Sequence, residues 1–355
     1  KILHKLGRKM IGWDEILDGG ASESATVMSW RGSKGGIKAA NQGNQAIMTP
    51  WDICYFDHYQ GSKLLEPMAQ SGFLPLEKVY NWEPIPSEIK PEHRDKILGG
   101  QANLWAEYMP DYKQAEYMIY PRLLALSEVL WATHYRDYKN FTERLVEAQQ
   151  RLDYGGINYH IPLPEGPQAQ YVEFVDSVEV ELTNSLNYEI FYWTNENNWT
   201  NWTSTTNLFN TTLLRAYTTF NGRNSDTIEV YYNKLSAPHP AAKHLLHNGL
   251  YRQRAYGYFP NTDSLDYVRF DITDLVDSLI YDRNDTYFEP WIEVYQGYMK
   301  VDSTDSYLIT TDLEELWVDD IRVINNNGRL KRNQTQRALM VLEEGFHSIK
   351  AVYNN

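Results

Sequence analysis

Over the first 162 residues, short apolar runs alternate with helical returns, and a tryptophan stands at or just beyond the end of every run. The runs cover 9–13, 25–30, 45–50 and 97–105, and the tryptophans are Trp13, Trp30, Trp51 and Trp105. Helical signals fill 35–42 and, with a break near Pro121, the long stretch 112–154. Short strands returned by helices specify a parallel α/β sheet, because only a crossover helix brings the chain back to start the next strand in the same direction. Parallel strands place all their carboxyl ends at one edge, which in a β/α barrel is the mouth of the active site. The four indoles are therefore expected to converge.

From about residue 163 the pattern changes to period two, at 172–174 and 178–182, followed by short β runs and Asn/Thr/Ser clusters up to about 235. This predicts a small Ig-like antiparallel sandwich over 163–240. A Pro-containing joint, Ala237-Pro238-His239-Pro240, leads into a third segment, 241–355, with β runs at 291–301, 307–311, 316–323 and 346–353. A chain of 355 residues is long enough for two or three domains. The fold class is thus α/β plus all-β, with boundaries expected at 162 and 240.

Composition removes several functions. The formal net charge is −14 and no basic run tracks a phosphate backbone, so nucleic acid is not an expected partner. Cys54 is the single cysteine, which excludes an intrachain disulfide and a two-cysteine metal site. It reads as a small buried residue, not a nucleophile, since no histidine stands at motif spacing from it. The nine histidines lack paired metal-ligand spacing, so neither metal nor cofactor is expected. No apolar stretch reaches the roughly 20 residues of a membrane span. Residues 1–7 read as the end of a helix with a glycine stop, so any export signal is expected upstream.

The 27 Tyr and 11 Trp suit either dense β packing or the stacking of sugar rings, and the polar neighbours of the four tryptophans favour the second use at that edge. Asp14, Glu15, Arg31, Tyr55, Asp57 and Glu107 lie beside them. Carboxylates next to flat apolar rings suit carbohydrates, whose hydroxyls need acceptors and whose C–H faces need an apolar floor.

Four motifs in order sharpen this. Gly12-Trp13-Asp14-Glu15-Ile16 resembles the strand-five motif of glycoside hydrolase family 20, and Val27-Met28-Ser29-Trp30-Arg31-Gly32 the strand-six motif. Tyr55-Phe56-Asp57 resembles the family's Tyr-x-Asp, and Gly99-Gly100-Gln101-Ala102-Asn103-Leu104-Trp105-Ala106-Glu107 its strand-eight Trp-x-Glu segment. Ser127-Glu128-Val129-Leu130-Trp131 is similar to the helix that follows. The resemblance implies that 1–162 is the second half of a (β/α)8 barrel. It also implies a retaining β-N-acetylhexosaminidase, in which the substrate's own acetamido oxygen is the nucleophile. By the same resemblance Trp13, Trp30 and Trp105 wall the acetamido pocket, with Trp51 also in the substrate site. Tyr55 orients the acetamido oxygen, Asp57 accepts from O6 and Glu107 from O4. The partners implied are glycans containing N-acetylhexosamine, and the address implied is periplasmic or extracellular.

One departure is decisive. The family's catalytic Asp-Glu pair follows a His-x-Gly-Gly run, and neither that run nor the arginine of the first barrel strand occurs in this sequence. Asp14-Glu15 is an adjacent acid pair in the wrong motif, read here as ionised first-turn residues of a helix. The chain alone is therefore expected to be inactive. Its uncovered half-sheet is expected to be completed by the missing half of the barrel or by a second copy. The competing reading is a non-catalytic carbohydrate-binding protein.

The last segment, through Gly297-Tyr298-Met299-Lys300, Leu316-Trp317-Val318-Asp319-Asp320 and Gly345-Phe346-His347-Ser348, resembles a protective-antigen-type β-domain. Some such domains hold calcium with an Asp-Asp pair; Asp319-Asp320 is read here as a turn.

Overall fold

The computed structural model describes residues 2–63, 66–132, 136–242, 248–259, 262, 265–279, 290–326 and 335–354. The chain divides into two compact units, Lys1–Pro162 and Leu163–Asn355.

In the first unit, strands β1 (Ile11–Trp13), β2 (Thr26–Ser29), β3 (Gln45–Met48) and β6 (Ile97–Gly100) form one parallel sheet in the order β1-β2-β3-β6. Helix α2 (Lys34–Asn41) returns the chain from β2 to β3. It lies close to the sheet because Gly36 has no side chain: a Cβ there would stand 2.3 Å from the Met48 sulfur. The apolar seam is made by Val27, Ala39 and Ala46, all fully buried, with Leu17.

The stretch between β3 and β6, rich in Pro and aromatics, is more ordered than its sequence suggests. It holds α3 (Trp51–Cys54), β4 (His58–Tyr59), β5 (Gln70–Phe73) and α4 (Leu76–Tyr80). β4 and β5 pair in parallel, setting His58 opposite Gln70. The predicted long helix is three helices, α5 (Tyr112–Ile119), α6 (Arg122–Trp131) and α7 (Tyr138–Tyr154). Among the described residues no helix is long and apolar enough to cross a membrane.

The second unit is built of β-sheet. One eight-stranded sheet contains Glu189–Thr194, Thr212–Phe220, Ile228–Lys234 and Tyr171–Phe174, and continues into Gln336–Leu342 and Asp305–Thr311. A six-stranded sheet contains Leu250–Tyr256, Trp291–Val301, Gly345–Asn354 and the hairpin Glu315–Val318/Ile321–Asn325. The single β run expected over 316–323 is thus two strands. They turn at Asp319 and Asp320, both with positive φ.

The boundary expected at 240 is corrected by these pairings. Tyr171–Phe174 is bonded to Ile228–Lys234 on one side and to Gln336–Leu342 on the other, so the middle and last segments share a sheet. The Pro-flanked joint is itself stitched in. His239 donates its N–H to the Val341 carbonyl (2.9 Å) and accepts from the Glu343 N–H (3.0 Å). Beneath it the buried Glu173 carboxylate receives His239 Nε2 at 2.8 Å, the Tyr171 hydroxyl at 2.7 Å and the Val341 N–H at 3.2 Å. A buried carboxylate persists only when its lone pairs are filled, and here the partners come from three separate segments.

Hydrogen bonding to Glu173 raises the His239 pKa above that of a free imidazole. The raised group stabilises the folded state fully below the ordinary histidine value of roughly 6.5, and that contribution disappears as pH climbs through the raised folded value. Thermal unfolding followed between pH 5 and pH 9 should therefore show the Tm falling as the pH rises above about 6.5. In His239→Gln this fall should be flattened; an unchanged slope in the variant would refute the assignment.

Candidate active site

The carboxyl ends of the four parallel strands lie together, and the tryptophans follow. Trp13 is the last residue of β1, Trp30 follows β2 directly, Trp51 opens α3 beyond β3, and Trp105 lies past β6. With Glu15, Tyr55, Asp57 and Glu107 they line one cleft of about 870 Å³. Asp14 and Arg31, also beside the tryptophans in sequence, are not part of its lining. The rings form a chain of contacts: Trp13 to Trp105 at 6.5 Å between centroids, Trp105 to Tyr55 at 6.4 Å, and Tyr55 to Trp30 at 6.4 Å with planes 27° apart. Trp51 meets the edge of His58 at 5.7 Å and is the outlying member, nearly half exposed.

Two carboxylates beside the cleft are already occupied. Asp14 is 2% exposed and accepts the Arg31 Nε–H at 2.7 Å and the Arg31 backbone N–H at 3.3 Å. It also fills the space left by Gly35, where a Cβ would stand 2.7 Å from its own Cβ. Glu15 takes the Trp30 indole N–H at 2.9 and 3.1 Å from its two oxygens. Both lie in the first turn of a short 3-10 helix, Asp14–Leu17. Asp14 fixes the strand-end loop and Glu15 sets the tilt of Trp30, so each has a positioning task.

Asp57 is different. It is 3% exposed, and its Oδ1 has no hydrogen-bond partner among the described residues. Burial, with the Glu107 charge adding to it, lifts its pKa to about 6. An orphaned, dehydrated carboxylate oxygen on a cleft-lining residue has capacity to accept a hydrogen bond from a ligand hydroxyl. Glu107 receives one bond, from the Gln70 amide at 3.3 Å, and is otherwise open to the cleft. Tyr55 is also perturbed: burial pushes its hydroxyl pKa up, so the phenol stays protonated and able to donate.

Three lining residues, His58, Gln70 and Ser71, have no sequence signal. They arrive through the β4–β5 pairing inside a stretch that reads as loop. His58 is buried, and burial holds its imidazole neutral, with a pKa of about 4. The ring fits because residue 72 is glycine: a Cβ there would lie 2.6 Å from His58 Nδ1.

Under this wall lies Arg122, the first residue of α6 and fully buried. Its guanidinium donates to the carbonyls of Met118, Phe56, His58 (2.9 Å) and Leu74 (3.1 Å), and packs 5.0 Å from the Phe56 ring. The carbonyls on either side of Asp57 are therefore held by one planar group. On the other side Phe56 donates its N–H to the Asn103 carbonyl (2.8 Å), and Asn103 donates to the Cys54 carbonyl (2.7 Å). This ties the Tyr55 segment to the one leading to Trp105. Replacing Arg122 with methionine should cost about 3 kcal/mol or more, since several buried carbonyls lose their donor together. Urea denaturation reads the loss, and an unchanged midpoint in Arg122→Met would rule out this role.

Comparison with known proteins finds matches that include this site. Residues 1–134 match the model described as glycosyl hydrolase family 20, catalytic domain. A beta-hexosaminidase of Porphyromonas gingivalis is 37% identical over 375 residues, covering 99% of this chain and 48% of that protein. A beta-hexosaminidase of Vibrio furnissii is 38% identical over 132 residues, 36% of this chain and 21% of that protein. Among solved structures, a family 20 exo β-N-acetylglucosaminidase of Vibrio harveyi in complex with N-acetylglucosamine aligns at a TM-score of 0.40 with 32% identity, over 44% of this chain and 25% of that one. The chain spans about half the length, or less, of the relatives it matches. Over its first 134 residues, with the tryptophan-lined cleft among them, the chain matches the catalytic-domain model of glycosyl hydrolase family 20, a family of glycoside hydrolases.

Proposed function

We propose that this chain carries the sugar-gripping side of a retaining β-N-acetylhexosaminidase that removes terminal N-acetylhexosamine from glycans by substrate-assisted catalysis. The observation that carries the reading is the linked set of rings, Trp13, Trp105, Tyr55 and Trp30, around a cleft with an unpartnered Asp57 oxygen. An acetamido group has a methyl that needs an apolar wall and an oxygen that must be aimed at the anomeric carbon. Trp13, Trp30 and Trp105 supply the wall. Tyr55, kept protonated, donates to the acetamido oxygen and fixes its direction. Holding an internal nucleophile in one near-attack geometry removes most of its rotational freedom before the reaction starts, and that is the main catalytic contribution of these residues. Asp57 and Glu107 accept from ring hydroxyls, O6 and O4 respectively, and set the depth of the sugar. Trp51 and His58 close the outer rim.

The general acid and its partner carboxylate are assigned to barrel strands that are not in this sequence. Asp14 and Glu15 are not substitutes, since both are committed to Arg31 and Trp30. Two features support the half-barrel reading: β1 and β6 are the edges of the parallel sheet, and Ile11 and Leu98 on them are more than half exposed. An apolar side chain on an unpaired strand edge is what a further strand would cover. By the family's example the site works outside the cytoplasm.

Binding and turnover separate the parts of this reading. Titrated by NMR, this chain should bind N-acetylglucosamine more tightly than glucose and leave a chromogenic N-acetylglucosaminide intact. A chain that joins these residues to the first half of a family 20 barrel should hydrolyse that substrate. Tyr55→Phe should weaken the acetamido sugar about tenfold, the value of one buried hydrogen bond, and leave glucose unaffected. Equal affinity for the two sugars would defeat the acetamido assignment. Failure of that joined chain to hydrolyse the substrate would leave a carbohydrate-binding protein in its place.

The pH response follows from Asp57. Its carboxyl is mostly protonated in the free protein below its pKa of about 6, and a ligand hydroxyl donated to Oδ1 favours the ionised form. Affinity for N-acetylglucosamine should therefore rise between pH 5 and pH 7 and level off above. Asp57→Asn should bind more weakly and show no such rise. A flat profile in the unaltered chain would remove Asp57 from the site.

A further inference from the structure

Between Asp57 and Gln70 the chain leaves the cleft and comes back to it. The excursion is closed at its base, where the Gln70 N–H donates to the Asp57 carbonyl at 2.9 Å. The returning strand is held again where the Leu74 N–H donates to the Tyr59 carbonyl at 2.8 Å. Both ends line the cleft, Asp57 and His58 on the way out, Gln70 and Ser71 on the way back. Gln70 also reaches a second acceptor of the site. Its amide oxygen takes the Ser71 N–H at 2.9 Å, and its Nε2 donates to Glu107 at 3.3 Å. The placement of Asp57, Gln70 and Glu107 therefore depends on how this excursion is seated.

Its outer part is seated by a carboxylate. Glu66 is buried and does not line the cleft. Its Oε1 receives His160 Nε2 at 2.8 Å, and its Oε2 the Tyr117 hydroxyl. An ionised carboxylate only accepts, so Nε2 carries the proton on that side. The Tyr117 and His160 rings brace each other edge-on, 5.0 Å between centroids. Tyr117 belongs to α5, and its carbonyl takes the Gln60 amide at 2.6 Å. His160 lies beyond α7 and donates its own N–H to the Tyr120 carbonyl at 3.1 Å. Space for the carboxylate comes from Gly61, where a Cβ would stand 2.5 Å from Glu66 Oε1.

Burial pushes the Glu66 pKa up, but His160, the Tyr117 hydroxyl and the Arg122 charge outweigh it and hold the carboxyl below its ordinary value. Such a group is a weak source of stability, since an apolar side chain of the same shape does as well; its best-attested use is to select one arrangement among several. A leucine here would fill the space and tolerate sliding. A carboxylate with two directional partners on separate elements fixes one register.

We propose that Glu66 is a positioning residue for the cleft: by gripping Tyr117 and His160 it seats the excursion that carries Asp57 and Gln70, and through Gln70 it sets Glu107. The consequence for sugar binding rests on the reading of the cleft given above, whereas the seating itself does not.

The test measures two things on the full chain, amide hydrogen exchange by NMR and affinity for N-acetylglucosamine. In Glu66→Ala the Gln70 and Leu74 amides should exchange about tenfold faster or more, while Thr49 and Gln101, bonded within the parallel sheet, stay within about twofold. N-acetylglucosamine should bind about tenfold more weakly. Glu66→Gln keeps the shape and the capacity for both hydrogen bonds, and should recover most of each loss. If Glu66→Ala fails to fold, Tyr117→Phe, which removes one hydroxyl, takes its place and should show the same local pattern several-fold. Uniform acceleration of all four amides would overturn the proposal, since Glu66 would then be an ordinary core residue. So would local acceleration with an unchanged sugar affinity, or a Glu66→Gln variant as impaired as Glu66→Ala. If the unaltered chain binds no N-acetylglucosamine, the reading of the cleft fails, and the exchange pattern alone decides the seating.

Discussion

The first unit is organised around a positive charge that, among the described residues, has no carboxylate directly against it. Arg122 is fully buried, and its hydrogen bonds go to four backbone carbonyls from three segments. Burying a guanidinium is costly unless its donors are filled, and here the chain folds around them. Burial pushes the Arg122 pKa down, and the charges of Glu66 and Asp57 pull against that shift. The geometry couples two things otherwise independent: the start of α6 and the path of Phe56 to His58, which carries one wall of the tryptophan-lined cleft. Precision at Tyr55 and Asp57 is thus inherited from a residue that never meets the ligand.

The same economy governs the acids around the cleft. Four carboxylates stand near the tryptophans, and their surroundings sort them. Asp14 and Glu15 have strong donors and serve as struts, while Asp57 and Glu107 keep capacity in reserve. Adjacent acids are therefore poor evidence of catalysis by themselves. What distinguishes a ligand-facing carboxylate is an unfilled lone pair at a cavity wall, which no sequence pattern records.

Much of the site was legible in the sequence because one rule did the placing. Parallel strands end at one edge, so four tryptophans at four strand ends had to meet, wherever the helices went. Tyr55, Asp57 and Glu107 came with the motifs. His58, Gln70 and Ser71 did not, because β4 and β5 are strands of 2 and 4 residues whose pairing depends on a glycine making room for a histidine ring. Arg122 was equally silent: on a helical pattern it reads as an ordinary surface cation, and only the folded chain shows carbonyls converging on it. The joint at 237–240 misled for a related reason. Proline on both sides of His239 signals a break in regular structure, but the histidine between them keeps its own N–H, C=O and ring, and all three are used to bind the two halves of the second unit.

The lone thiol has a consequence of its own. Cys54 is completely buried, burial pushes its pKa far above that of a free cysteine, and its carbonyl is one anchor of the Tyr55 segment. A sulfur so placed is inert toward alkylating reagents while the segment is seated, and becomes reactive only when that segment lifts. The rate at which an electrophile modifies this one atom is consequently a clock for the opening of the cleft wall, built into the chain without a label having to be added.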